Sequence, residues 1–522
     1  MLAPPLSPTE TLVDAAPKRL SLTRKLVLLT MFCLAQFLDS FNNSALFSAI
    51  PALEISMNMT ESQSTWIMSA FQLTFSSFLL ISGRISDVYN PKTAFIAGVS
   101  GLGLISVGAG FVQDKIIIII LRALIGIASA MTIPSALTLL VNVFPDPLEQ
   151  ARAIGVFGGC GAVANVLGLL IGAFFVQFAS YHWVFWFVAL VAAPVALACV
   201  FVIPPQAENI DDLEPSIAKW KRLDLIGVST LTVALILFIF AVTSGSTDGW
   251  ATATVLVPLM ISILLVIGFF YWETVVPVNK AAIPPRTWFY NNFSVLFAVA
   301  LLPFFWWSAV FTMFTTLWQN VYHWSVISSA IHMFPIGVLA FSMSFTGSLS
   351  RVFSPKWIIL TGLSLLVVST TLIAIGGGSP DQYWPYIFPA FAIGSAGAML
   401  TYTHTNIAIF QAAPSSMAGT VGAVFNGALQ FGSAIGLAAI SSIETSVEAT
   451  HGGPDEYAGR AAAFWFILGL VCLEFISVFW FYQRGTDHQP QPKHNDSLYD
   501  EKADHVKISA PGTDIDLSTS PV

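Results

Sequence analysis

Long apolar runs alternate along the chain with short polar connections, and most runs approach or exceed the ~20 residues that an α-helix needs to cross a bilayer. They fall at about 26–50, 64–82, 94–113, 116–142, 153–178 and 182–203, then 224–242 and 253–272, then 294–316, 331–349, 356–377, 384–410, 418–443 and 461–482. About fourteen transmembrane helices are therefore predicted. In hydrocarbon every backbone N–H and C=O must be paired internally, so the expected fold is an all-α polytopic membrane protein.

The polar connections carry a repeat. Gly83-Arg84-Ile85-Ser86-Asp87-Val88-Tyr89-Asn90-Pro91-Lys92 returns as Gly347-Ser348-Leu349-Ser350-Arg351-Val352-Phe353-Ser354-Pro355-Lys356, with five of ten positions identical. So polar a decapeptide cannot lie in lipid, and both copies are expected to be tight loops on one face of the bilayer. A second echo pairs Gly161-Ala162-Val163-Ala164-Asn165 with Gly422-Ala423-Val424-Phe425-Asn426. Spans 1 to 6 thus match spans 9 to 14, and spans 7 and 8 form an unduplicated hairpin. Parallel repeats of this kind place a shared site between the halves. The expected division is a polar, disordered N-terminus at 1–25, a six-helix half at 26–203, a linker at 204–223 and the inserted hairpin at 224–272. A second linker at 273–293, a second six-helix half at 294–482 and a disordered tail at 483–522 complete it.

Composition agrees: 55% of the 522 residues are hydrophobic, 10% are charged and the mean hydropathy is +0.76, too apolar for a soluble globule. No basic patch interleaved with aromatics suggests nucleic acid. The eight histidines show no H-x-x-x-H grouping and the four cysteines no C-x-x-C, so neither a metal nor another cofactor is expected. Of the 21 Lys and Arg residues, eighteen fall on one side of the predicted spans and two on the other, which puts both termini in the cytoplasm.

Gly83-x-x-Ser86-Asp87 after span 2, Arg122-x-x-x-Gly126 in span 4 and the Gly-rich span 5 resemble three motifs of the major facilitator superfamily. Fourteen spans, Leu38-Asp39 followed by Ala45-Leu46, and Asp224-Leu225-Ile226-Gly227 narrow the likeness to fourteen-helix drug:proton antiporters of the fungal aminotriazole-resistance type. The chain departs from the pattern at Asn90 and Pro91, where the family usually has Gly and Arg, and in Gly168-Leu169-Leu170-Ile171-Gly172-Ala173, which lacks the usual Gly-Pro. The resemblance implies an inner-gate motif of Gly83, Arg84, Ser86, Asp87 and Lys92, with Asp87 latched onto the start of span 13 near Ser415 to Gly419. It also favours the plasma membrane, with the vacuolar membrane as the alternative.

Candidate chemistry sits inside the spans. Gln36, Asp39, Ser40 and Asn43 share one face of span 1, and a carboxylate there must face a cavity or a partner. Arg122 is the basic residue deep in a span of the same half; it pairs with Asp39 structurally, or one or both couple protons. Gln36, Asn43, Gln72, Trp306, Trp307, Tyr402, His404, Thr405, Asn406, Asn426 and Gln430 are candidates to line a cavity that is apolar with a few polar points. Gly155 with Gly159, Gly168 with Gly172, and Gly432 with Gly436 have the small-x-x-x-small spacing of close helix packing.

The expected function is proton-coupled export of small amphipathic or apolar organic compounds by alternating access, by a monomer in the lipid bilayer and not by an enzyme. The alternatives are a uniporter, an importer of a polar nutrient or a borate-type exporter of the same fold. A membrane-embedded enzyme or a non-transporting sensor stands further off.

Overall fold

The computed structural model describes residues 20–59, 61–204, 224–277, 281, 283–414, 417–453 and 455–483. The expected polar tails and most of the 204–223 linker lie outside them. All regular structure among the described residues is helical. The first half is α1 (Leu22–Met57), α2 (Glu61–Val88), α3 (Pro91–Ala109), α4 (Lys115–Val143), α5 (Pro147–Phe178) and α6 (His182–Val202). The hairpin is α7 (Leu225–Asp248) and α8 (Ala253–Val275). The second half is α9 (Phe293–Val321), α10 (Val326–Ser350), α11 (Pro355–Gly376), α12 (Phe388–Ala412), α13 (Ala418–Glu448) and α14 (Ala458–Phe481).

Thirteen of these are long and apolar enough to cross a membrane. The exception, α12, has 25 residues but is diluted by the polar run Thr401 to Asn406, all of it buried against protein rather than turned to lipid. Helix α1 starts before the expected span and uses Ser21 as its N-cap, so residues 22–25 are helical rather than part of a disordered tail. Its 36 residues reach ~54 Å at ~1.5 Å each, well beyond the ~30 Å hydrocarbon core, so its ends stand clear of the lipid.

The expected loop at 83–92 is mostly helix. Gly83 to Val88 continue α2, and the connection shrinks to Tyr89 and Asn90. Asn90 is the N-cap of α3, its Oδ1 accepting from Lys92 N at 2.9 Å, with Pro91 in the first turn where no N–H is needed. The departures from the family pattern thus make a capped helix start. In the second copy Gly347 to Ser350 form a 3₁₀ turn closing α10, and Pro355 opens α11.

The repeat is visible in the packing. Helix α1 packs on α5, α2 and α3 on α4, and α3 on α6; the counterparts α9 on α13, α10 and α11 on α12, and α11 on α14 repeat these pairs. Each half has its own apolar core. Lys92 shows how far the copy extends. Its Nζ donates to the carbonyls of Val200 and Ile203 at 2.8 and 2.7 Å, and Lys356 Nζ donates to those of Phe479 and Tyr482 at 2.7 and 2.9 Å. Each lysine caps the C-terminus of the last helix in its own half, where orphan carbonyls and the helix dipole favour a cation.

The halves meet along α2 with α13 and along α5 with α10, two seams related by exchange of the halves. The hairpin breaks this symmetry: α7 lies on α2 and α13, so it covers one seam. Asp224 caps α7, accepting from Gly227 N at 3.0 Å and from Trp272 Nε1 of α8 at 2.9 Å, which ties the base of the hairpin together.

Candidate functional site

Between the halves lies a cavity of about 160 Å³. Helix α1 contributes Gln36, Asp39, Ser40, Asn43, Ser44 and Phe47, and α9 contributes Phe304, Trp307, Ser308, Phe311, Thr312 and Thr315 at the same helical spacing. One wall is therefore polar and the facing wall largely aromatic. Met68, Phe71, Gln72 and Phe75 of α2 join them, with Asn165 of α5 and Asn426 and Gln430 of α13. Asn165 and Asn426 are partners in the second sequence echo, and each donates its amide to the carbonyl four residues back, at 3.1 and 2.9 Å.

The lining residues occupy the middle of their helices and the part toward the 57–61 connection. At the opposite end, which carries the termini, the halves are in contact. A Cβ built on Gly83 would stand 2.6 Å from the Gly419 carbonyl oxygen and from Ala423 Cβ of α13. One built on Gly347 would stand 2.6 Å from the Ala151 carbonyl oxygen of α5. The two motif glycines, related by the repeat, thus seal the two seams alike. Gly155 and Gly159 of α5 add to the seal, each so close to Ser344 of α10 that a Cβ there would overlap its atoms. Gly168 and Gly172 meet Ser44 and Ala45 of α1, and Gly432 and Gly436 meet Leu301 and Phe305 of α9, so all three glycine pairs sit at close helix approaches.

Of the residues expected to line the cavity, Gln36, Asn43, Gln72, Trp307, Asn426 and Gln430 do. Trp306, Tyr402, His404, Thr405 and Asn406 do not: Trp306 is fully buried with its Nε1 on Thr370 Oγ1 at 3.1 Å, and Trp307 takes the cavity position. Tyr402 lies behind the floor, its ring against Phe304 and Trp307, and His404 and Asn406 lie beyond it. A helical face was assigned to α12 from polarity alone, and polarity also marks residues buried at a seam. Asn165, Phe304 and Phe311 are lining residues that the sequence reading does not assign to the cavity, although the echo that pairs Asn165 with Asn426 is a signal for one of them.

Asp39 and Arg122 are not paired. Asp39 Oδ2 accepts a hydrogen bond from Thr132 Oγ1 of α4, its Oδ1 has no hydrogen-bond partner, and the residue lines the cavity. Arg122 lies roughly 15 Å back along α4 from Thr132 at ~1.5 Å per residue. Its Nε donates to the Ile67 carbonyl of α2 at 3.0 Å, its Nη1 to Asn42 Oδ1 of α1 at 2.6 Å, and its guanidinium stacks 4.6 Å from the centre of the Phe71 ring. The arginine therefore cross-links three helices inside the first half, out of the cavity. Sequence spacing put both residues in one half but could not tell which face of α4 each partner meets.

Of the motif residues, Gly83 is at the seam, Ser86 Oγ donates to Thr138 Oγ1 of α4 at 3.4 Å, and Lys92 caps α6. The side chain of Asp87 and its expected partners Ser415 and Ser416 lie outside the described residues.

A family model described as Major Facilitator Superfamily matches residues 32–437, from α1 into α13. The chain belongs to the major facilitator superfamily. This facilitator is a multi-pass membrane transporter of small molecules, not an enzyme. It is 26% identical over 479 residues to the major facilitator superfamily multidrug transporter mfsC of Aspergillus fumigatus, covering 88% of each chain. It is also 26% identical over 430 residues to the puromycin resistance protein pur8 of Streptomyces alboniger, covering 81% of this facilitator and 82% of the relative. The crystal structure of the human organic anion transporter MFSD10 (TETRAN) shares its fold, with a TM-score of 0.61 at 17% identity over 87% of this chain and 99% of that one.

Proposed function

We propose that this facilitator exports small amphipathic or apolar organic compounds in exchange for protons, as a fourteen-helix drug:proton antiporter working by alternating access. With cytoplasmic termini, the sealed end faces the cytoplasm and the cavity faces outward, the state in which an exporter releases its cargo and takes up a proton. The plasma membrane is the proposed location, since export from the cell requires it.

The observation that carries the coupling is the Asp39–Thr132 pair. Asp39 is a carboxylate at a cavity otherwise lined by neutral polar, aromatic and aliphatic groups. Its partner hydroxyl has two acceptors in reach: Asp39 Oδ2 and, at 2.7 Å, the Ser129 carbonyl. When Asp39 is ionised the Thr132 O–H donates to it. When Asp39 is protonated its O–H donates to Thr132 Oγ1, and the threonine proton turns to Ser129. Both protonation states keep the hydrogen bond between Asp39 and Thr132, so loading and unloading the proton reverses its direction without breaking it. The aromatic wall of Phe304, Trp307 and Phe311 suits the apolar part of a cargo, and Gln36, Asn43, Gln72 and Gln430 its few polar groups. The relatives named for multidrug transport and puromycin resistance support the same cargo class.

The test is flux in proteoliposomes with and without an imposed pH gradient, starting with puromycin within a panel of toxic organic compounds. Asp39→Asn keeps the shape and removes the titration. It is expected to retain exchange of cargo across the membrane at equal concentrations while losing accumulation against a gradient. Accumulation driven by protons alone in Asp39→Asn would refute the assignment.

A further inference from the structure

The cavity holds only part of the polar surface that the second half carries inside the membrane. Below the cavity floor, on the sealed side, α12 buries Thr403, His404, Thr405 and Asn406, each with no exposed surface. Thr403 Oγ1, Thr405 Oγ1 and His404 Nδ1 have no hydrogen-bond partner, and the Asn406 amide, beside the Tyr402 hydroxyl, completes no bond of good geometry. His404 Nε2 has a single long contact, 3.4 Å to Thr346 Oγ1 of α10. Buried polar groups are ordinarily paired, and a run of four consecutive residues with unmet groups is costly in this conformation.

Their position says what the cost is for. Thr403 Cγ2 would lie 3.4 Å from a Cβ on Gly155 of α5, and Thr346 is the neighbour of Gly347, which seals the same seam against Ala151. Thr403 and His404 therefore abut the α5–α10 seam that has to part when the sealed end opens, whereas Thr405, one turn beyond the Thr401 that meets Gly362, is turned toward α11. Tyr402, stacked on Phe304 and tilted against Trp307, joins this part of α12 to the cavity floor that those two residues line.

We propose that Thr403, His404, Asn406 and Thr346 form a second ligand subsite, exposed in the opposite conformation, that first receives cargo from the side of the termini. Hydroxyls, an amide and an imidazole supply both donors and acceptors, with no carboxylate among them, unlike the cavity with Asp39. The subsite takes a neutral organic molecule bearing its own donors and acceptors, which then passes Tyr402 to reach the cavity. The proposal rests on the reading of the chain as an alternating-access exporter.

The experiment uses the full-length protein in nanodiscs with Cys33, Cys160, Cys199 and Cys472 replaced by alanine. Thr403→Cys is labelled with a membrane-impermeant thiol reagent. Gly347→Val places side-chain atoms where the Ala151 carbonyl stands and biases the sealed end open, so labelling in the double variant should quicken by about tenfold or more. Chloramphenicol, a neutral amide with hydroxyls, should slow it again; tetraphenylphosphonium, a cation without hydrogen-bonding groups, should not. In a separate protein, Thr403→Val removes its unpaired hydroxyl at nearly constant shape. Its melting temperature should hold or rise, while the half-saturation for chloramphenicol offered from the terminus side increases severalfold and that from the other side stays. A melting temperature lowered by Thr403→Val, a labelling rate indifferent to Gly347→Val, or equal protection by both compounds would overturn the subsite. Absence of any flux by the wild type, with labelling and chloramphenicol protection as expected, would instead sink the export reading and leave the subsite standing.

Discussion

The two halves of the molecule share a backbone plan and differ in what they present to the space between them. At matching positions α1 offers Gln36, Asp39, Ser40 and Asn43 where α9 offers Phe304, Trp307, Ser308 and Phe311. Inside the halves the contrast recurs: Arg122 bonds Asn42 and Ile67 across three helices of the first, while in the second Trp306 fills the space beside Gly394. What both copies keep is geometric, namely the lysine caps at Lys92 and Lys356, the sealing glycines at 83 and 347, and the asparagines at 165 and 426. Duplication preserved the devices that position helices, and the chemistry diverged. A transporter that must handle a proton and an organic molecule in one cavity gains from this, because the charged and apolar tasks sit on different walls.

The comparison can be broken most severely in the two interiors. Trp306→Ala should cost ~3–5 kcal/mol as a large aromatic deletion, and Arg122→Ala a similar amount by stranding Asn42 Oδ1 and the Ile67 carbonyl at ~1–3 kcal/mol each. Thermal melting of the purified protein checks both. If Arg122→Ala melts like the wild type, the first half is not held by its guanidinium.

Thr132→Val comes next. Loss of a hydrogen bond to a charged group is worth ~1.5–3 kcal/mol, so proton-driven accumulation should fall by roughly ten- to a hundredfold with melting little changed. Ser308→Ala on the opposite wall should leave accumulation near the wild-type level. Equal losses in both would mean that coupling is not confined to the first half.

Smaller and symmetric effects are expected at the seams. Gly83→Val and Gly347→Val each overpack a backbone contact and should destabilise the sealed state by ~1–3 kcal/mol. Crosslinking of cysteines at Ala151 and Ser348 reports one seam and at Ser82 and Thr420 the other. Yields that fall at one seam only would show that the hairpin α7, which lies over α2 and α13, carries part of the closure. The smallest effect belongs to the caps: Lys92→Met and Lys356→Met should each cost ~0.3–1 kcal/mol, read as matched small decreases in melting temperature.

Helix number, the repeat and the family follow from the sequence alone, because a bilayer demands long apolar runs and a duplicated motif survives as spelling. The polar stripe of α1 was equally legible: Gln36, Asp39, Ser40 and Asn43 lie on one helical face, and that face does line the cavity. Partnership was not legible. Whether Asp39 meets Arg122 or Thr132 depends on the rotation and depth of α4 against α1, and spacing within one helix carries no information about its neighbour. The same limit explains α12, where Tyr402 to Asn406 read as a cavity wall and proved to be buried behind it. Polar residues in a span point away from lipid, which sequence can tell; tertiary packing alone decides whether they then meet water, a seam or one another, because that depends on how far two helices stand apart.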